Sequence, residues 1–244
     1  MSAEHLIFPD WPAPPNVKSL QTTRLGGFSA APYGRLNLGS HVGDAPLVVV
    51  RNRMTLNSLM PSEPVWLNQV HGVAVADVAH AGCLPQADAC IAHQPGGVCV
   101  VMTADCLPVL LCDAAGTVVG AAHAGWRGLC DGVIERTVEA MGVVPKSLMA
   151  WLGPAIGPTA FEVGEEVRAA FIAHQPEAVT AFVEGAPGKW LADIFQLARL
   201  RLAALGISHI YGGSICTYSD AERFYSYRRD GVTGRMGTFI WLER

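Results

Sequence analysis

Several absences bound this sequence before any motif is considered. Acidic and basic side chains nearly balance over its 244 residues, 21 Asp and Glu against 17 Lys and Arg, for a formal net charge of -4 and a pI near 6.0. That leaves no basic excess of the kind that holds nucleic acid or an anionic membrane. No apolar run approaches the roughly 18 residues of a membrane-spanning helix. The opening MSAEHLIFPDWPAPPNV lacks both the basic start and the long apolar core of a signal peptide. The seven cysteines are odd in number and contain no Cys-x-x-Cys pair, which argues against a disulfide framework or a zinc knuckle and for reduced thiols in a cytoplasmic protein. Among the eight histidines there is no His-x-His pair, so one metal is the ceiling. No repeat, low-complexity run or composition shift marks a linker. Residues 1–244 therefore read as a single domain, entered by an extended segment over 1–20.

What the chain does have is apolar material: half its residues are hydrophobic and only 16% are charged, enough for a substantial core. The densest stretch runs from Val100 to Gly128. Within it Asp113-Ala-Ala-Gly116 has the composition of a type I turn, and β-prone runs on both sides predict a hairpin. If Asp113 faces Gly116, then Cys106 faces His123, with Cβ atoms roughly 4.5–5.5 Å apart. A bulge near Pro108 would break that register.

The other motifs fall around this hairpin. Thr22 to Ser29 runs into a glycine pair, and Arg24 with Gly26 and Gly27 reads either as an anion-binding corner or as a tight turn with a surface arginine. Asp44-Ala-Pro46 predicts a capped helix to about Met60 with its apolar face in the core. Val65 to Gly72 and Val73 to Val78 read as a strand, a turn and a returning strand, which puts His71 at a strand end. Strands are also expected over 88–92, 97–103, 147–152, 208–211 and 236–242, and helices over 128–141, 163–174 and 191–205. The helix after His123 points its N-terminus at the hairpin mouth. Gly153 to Pro158 is a shaped loop. Arg228, Arg229 and Arg235 read either as a phosphate or base clamp or as a solvated hairpin with Arg-Asp pairs.

One thiol and two imidazoles suit a three-ligand metal site with an open position, where a zinc-bound water has a pKa of about 7; the same set fits copper. A metal-free alternative is a Cys106–His123 nucleophile pair with Asp105 or another acid orienting the imidazole.

Five ordered motifs, Asn68-Gln-Val-His-Gly72, Thr103-Ala-Asp-Cys-Leu-Pro-Val109, His123-Ala-Gly-Trp-Arg-Gly128, Gly153-Pro-Ala-Ile-Gly-Pro158 and Tyr225-Ser-Tyr-Arg-Arg-Asp230, together resemble the YfiH family, also called the laccase-domain or polyphenol-oxidase family. The resemblance spans Thr22 to Leu242. It implies a single α+β domain of mixed β-sheets flanked by helices, of the type grouped with the catalytic domain of cytotoxic necrotising factor. It also implies a metal site carried over to His71, Cys106 and His123, with zinc as the metal and copper possible. Members are similar to purine nucleoside phosphorylases that also cleave methylthioadenosine and deaminate adenosine. Older assignments make them copper-dependent polyphenol oxidases, and bacterial members are linked to peptidoglycan editing. The reading taken is a zinc-dependent enzyme acting on purine nucleosides. An editing hydrolase is the runner-up, a polyphenol oxidase the third, and a non-enzymatic metal-binding protein the alternative of another class. On this reading Cys106, His123 and Asp105 are catalytic, Asp105 moving protons. Arg24 with Gly26 and Gly27, or Arg228, holds phosphate. The partners are a small-molecule nucleoside and phosphate, with no nucleic acid and no membrane, and no protein partner is deducible.

Overall fold

Two wholly buried strands set the layers. In the computed structural model, which describes residues 5–244, Leu107–Asp113 and Val119–Ala124 are buried along their full lengths, as strands covered on both faces must be. Successive side chains alternate between faces. Leu107, Val109 and Leu111 join a core with the helices Val133–Met141, Glu165–His174 and Ile194–Ala204. Leu110 and Cys112 instead pack with Cys99, Val101 and Ile240.

The hairpin lies at the centre of a six-stranded mixed sheet. In order the strands are His209–Gly212, Leu148–Leu152, Leu107–Asp113, Val119–Ala124, Ala89–Ala92 and Val75–Asp77, with the two edge strands parallel to their neighbours. A four-stranded antiparallel sheet of Leu6–Ile7, Val17–Thr22, Met236–Leu242 and Val98–Thr103 covers its second face. The far side of that sheet is closed by Leu36, Leu38, Leu56 and Trp66. Helices, mixed sheet and antiparallel sheet make a single-domain α+β fold. Among the described residues no helix is long and apolar enough to cross a membrane.

The strands expected over 88–92, 97–103, 147–152, 208–211 and 236–242 form within a residue of those bounds. Other segments differ for local reasons. The segment expected as an extended entry over 1–20 lies partly outside the described residues, and the rest contributes Leu6–Ile7 and the start of Val17–Thr22. Asp44 does not cap the first helix; its Oδ2 accepts from Ser29 Oγ at 2.6 Å and Asn37 Nδ2 at 2.9 Å, and Ala45 takes the cap position of Pro46–Met54. That helix docks through Asn52, whose amide nitrogen donates to Ser29 Oγ, Arg35 O and Asn37 O, while Leu47, Val50 and Met54 stay exposed. No hairpin forms over 65–78. Val65 and Asn68 make isolated bridges, and Val75–Asp77 pairs in parallel with Ala89–Ala92. The helix expected over 128–141 is broken by Gly132, whose φ of 101° is left-handed, into Trp126–Asp131 and Val133–Met141. The later helices start late, because Glu162–Gly164 and Lys189–Ala192 are strands of a small third sheet.

Candidate active site

Asp88 stands at the entry to the apolar strand Ala89–Ala92 and is fully buried. A carboxylate out of water needs partners. Its Oδ2 accepts from Val70 N at 3.1 Å and Gly72 N at 2.7 Å, and its Oδ1 from His71 N at 2.8 Å. Three successive amides converge because His71 adopts a left-handed backbone, φ 62°, forming an anion nest. The same Oδ1 lies 2.8 Å from Nδ1 of His123, and the Asp88 carbonyl accepts from His123 N at 2.7 Å. With its proton on Nδ1, His123 offers Nε2 as a donor atom. One carboxylate thus orients both histidines. Burial opposes the charge on Asp88, but the His123 ring and then the Gly72 amide hold its carboxyl below the usual range.

Cys106 reaches the same place from the start of Leu107–Asp113. Its expected register is corrected: His123 pairs with Pro108, and Cys106 is not directly opposite. The Asp113 side chain accepts from Thr117 N at 2.7 Å and Val118 N at 3.0 Å, which lengthens the loop beyond the Asp113–Gly116 turn. A two-residue slip leaves the face unchanged, so Cys106 sits diagonal to His123 on the same side. Its Sγ is 3.8 Å from His71 Nε2, and the rings of His71 and His123 meet edge to face at 4.8 Å. The donor atoms of His71, Cys106 and His123 all fall within 4.8 Å of one another. Gly125 leaves the space open, since a Cβ there would lie 3.0 Å from Cys106 Sγ and 2.9 Å from His71 Cδ2. Two imidazoles and a thiol around such a cradle fit a metal ion with an open coordination position. Burial opposes ionisation of Cys106, yet the His123 and His71 rings bring its thiol down to about 6. Against the same burial, Cys106 and Asp88 lift His123 to about 9. Without a metal the two groups therefore pair as thiolate and imidazolium at neutral pH, and a metal ion would take the place of the Nε2 proton.

Asp105 does not orient the imidazole. Its Oδ1 accepts from Thr217 Oγ1 at 2.7 Å, and its Oδ2 from Ser226 Oγ at 3.0 Å and Arg228 N at 2.7 Å. With both oxygens committed and a left-handed φ of 93°, it ties the cysteine loop to the C-terminal segment that carries Tyr227. Asp88 was the partner to look for. Its one sequence signal is a lone acid at the head of an apolar strand.

Two chambers meet at Ala104, Cys106 and Tyr227. The smaller, about 160 Å³, is apolar and lined by Trp126, Ile156, Phe161 and Ile194, with Arg228 at its edge. The larger, about 380 Å³, holds the histidines and Cys106 together with His41, Thr103 and Arg235. Burial, then Arg235 and Arg53, lowers the pKa of His41. Arg24, Gly26 and Gly27 line neither chamber. Arg24 donates to Ala221 O at 3.0 Å and lies 4.8 Å from the centre of the Tyr225 ring, while a Cβ at Gly27 would stand 2.3 Å from Arg35 O. The tight-turn reading of that corner fits these contacts. Arg229 is consumed by Asp230 and the carbonyls of Thr217, Tyr218 and Phe224. Arg228 donates to Glu162 O at 2.9 Å from the apolar chamber's edge.

Residues 18–243 match the family described as multi-copper polyphenol oxidoreductase laccase. The chain is 54% identical over 238 residues to a purine nucleoside phosphorylase of Pseudomonas aeruginosa, covering 97% of this chain and 98% of that one. It is 55% identical over 240 residues to the purine nucleoside phosphorylase YfiH of Escherichia coli, with the same coverage. Among solved structures, a Neisseria meningitidis protein superposes with a TM-score of 0.96 at 51% identity, over 98% of this chain and all of that one. YlmD of Geobacillus stearothermophilus superposes at 0.93 and 31% identity, over 100% of this chain and 98% of that one.

Proposed function

The chain belongs to the YfiH, or laccase-domain, family, and from that premise we propose that it is a purine nucleoside phosphorylase centred on His71, Cys106 and His123. The observation that carries the reading is 54% and 55% identity, over nearly the whole length, to relatives that bear that name. Phosphorolysis forms a bond from a phosphate oxygen to C1′ of the ribose as the bond from C1′ to the base nitrogen breaks. The bonding pair leaves with the base, which takes up a proton. Such a reaction needs a flat apolar slot for the base beside a polar space for phosphate, and the two chambers supply that contrast. Trp126 and Phe161 offer aromatic faces for the base, and Tyr227 stands where the chambers meet. Asp88 keeps the His123 ring fixed so that its Nε2 faces the junction.

Zinc is the metal we assign to His71, Cys106 and His123, with copper the alternative for this donor set; when bound it supplies Lewis acidity at the junction. A multi-copper cluster takes many more donors. The described residues gather them in two groups of three, this one and Cys130, Asp131 and His174. The seven free cysteines suit a cytoplasmic location, where thiols stay reduced.

The test is an assay on protein of measured metal content. Given inosine, it should release hypoxanthine and ribose 1-phosphate only when phosphate is present. Release without phosphate would replace phosphorolysis by hydrolysis. Cys106→Ala should remove metal and turnover together while leaving the circular dichroism unchanged.

A further inference from the structure

The larger chamber contains a cation with no carboxylate bonded to it: Arg235, whose charge is opposed by burial but favoured by the Cys106 sulfur and then by Asp105, and whose guanidinium carbon lies 6.0 Å from the centre of the Tyr227 ring. Arg235 is held at three points. Its amide donates to Asn37 Oδ1 at 2.9 Å, its Nη1 donates to the carbonyls of Thr233 and Gly234 at 3.0 Å each, and its stem runs over Gly39, where a Cβ would come within 2.8 Å of its Cγ. Its Nε and Nη2 have no hydrogen bond, and no carboxylate pairs with it among the described residues. Arg229, six positions earlier, differs in this respect, with Asp230 at 2.8 Å. No Asp or Glu lines the chamber, and His41 stands at it as an imidazole able to donate a hydrogen bond.

A second observation points to a ligand in the same place. Thr103 lines this chamber, is 1% exposed, and its Oγ1 has no hydrogen-bond partner. A hydroxyl left unpaired in the wall of a polar chamber is a donor for an incoming oxygen. The two groups converge from different strands: Thr103 ends Val98–Thr103, Met236 begins the strand after Arg235, and Thr103 and Met236 are direct partners. The ladder therefore fixes the backbone of Thr103 one step from that of Arg235, and both residues line the chamber.

We infer that the chamber lined by Arg235, Thr103 and His41 is a tetrahedral-oxyanion site for inorganic phosphate, with Arg235 gripping it as a fork and Thr103 donating to one oxygen. The inference rests on the phosphorylase reading for its choice of anion, and it replaces Arg24, Gly26, Gly27 and Arg228 as phosphate ligands. It places phosphate and base on opposite sides of the Cys106 junction.

Calorimetric titration of the metal-containing protein with inorganic phosphate tests it, alongside Arg235→Gln, Arg235→Lys, Thr103→Val and Gly39→Ala. Phosphate affinity should fall at least tenfold in Arg235→Gln and severalfold in Thr103→Val and Gly39→Ala, with Arg235→Lys between wild type and Arg235→Gln. Hypoxanthine affinity and metal content should hold. In turnover, KM for phosphate should rise while KM for inosine stays put. Unchanged phosphate affinity in Arg235→Gln and Thr103→Val would overturn the site, as would an equal rise in both KM values. If inosine is not phosphorolysed but phosphate binding still depends on Arg235, the oxyanion site stands and the phosphorylase reading falls. If phosphorolysis proceeds with a phosphate KM indifferent to Arg235, the reverse holds.

Discussion

Asp88 and Asp105 approach the same cysteine from two sides of the fold, and both are buried, at 0% and 7% exposure. Asp88 takes the amides of Val70, His71 and Gly72 and the ring of His123, so every partner is a ligand or a neighbour of one. Asp105 takes Thr217, Ser226 and the Arg228 amide, so its partners belong to the C-terminal segments, from which Tyr227 and Arg228 reach the chambers. One carboxylate organises the His-Cys-His cluster and the other fastens the chamber wall to it. What assigns the role is the set of donors that surrounds each carboxylate; adjacency to Cys106 in sequence does not.

That division can be broken experimentally. The largest expected effect is that of Asp88→Asn on metal. Loss of the carboxylate behind His123 should lower metal affinity by about 10–100-fold, read by competition with a chelator, while Asp105→Asn stays near wild type. Equal losses in the two variants would dissolve the distinction. A second measurement separates them by pH in metal-free protein. Alkylation of Cys106, followed on its peptide by mass spectrometry, should be half-maximal near pH 6. Removing the Asp88 charge makes His123 less easily protonated, and a thiol that loses its cationic neighbour ionises at higher pH. The alkylation profile should therefore move upward in Asp88→Asn and stay in place in Asp105→Asn.

Asp105→Asn should act on substrate instead. Asparagine tolerates the left-handed backbone, but it is neutral and replaces the charge-assisted bonds from Thr217, Ser226 and the Arg228 amide by weaker ones. A loss of about 1.4 kcal/mol in wall order corresponds to a roughly tenfold rise in the KM for inosine. A variant that lost metal but kept its KM would exchange the two roles. The smallest effect is that of Thr217→Val, which removes one hydroxyl from Asp105. It should cost about 1 kcal/mol, seen as a melting temperature lower by about 2–4 °C, with metal content unchanged.

Much of this could be read in advance where the signal was local. The apolar runs at 98–103, 107–113 and 236–242 identify buried strands because both faces of each are covered. Cys106 and His123 were legible as neighbours even with the wrong register, because the error was two residues and the side-chain period is two. The first helix was legible as a helix but not in its packing, since the fold buries Asn52 in place of an apolar stripe. Thr103 was visible only as part of a motif, because an unpaired hydroxyl is defined by what fails to surround it.

The sequence by itself determined the central hairpin, the mixed class of the fold, and the three residues that cluster as His71, Cys106 and His123, all of which follow from side-chain type, short-range periodicity and motifs that a family shares. Tertiary structure alone decided which aspartate meets which imidazole and which arginine faces the chamber. Asp88 reaches His123 because Ala89–Ala92 pairs antiparallel with Val119–Ala124, and Arg235 reaches the site because Met236–Leu242 pairs with Val98–Thr103. The cause is physical: a carboxylate or guanidinium takes whatever donors and acceptors sheet order brings within 3 Å, and that order is a global property of how the apolar strands bury one another.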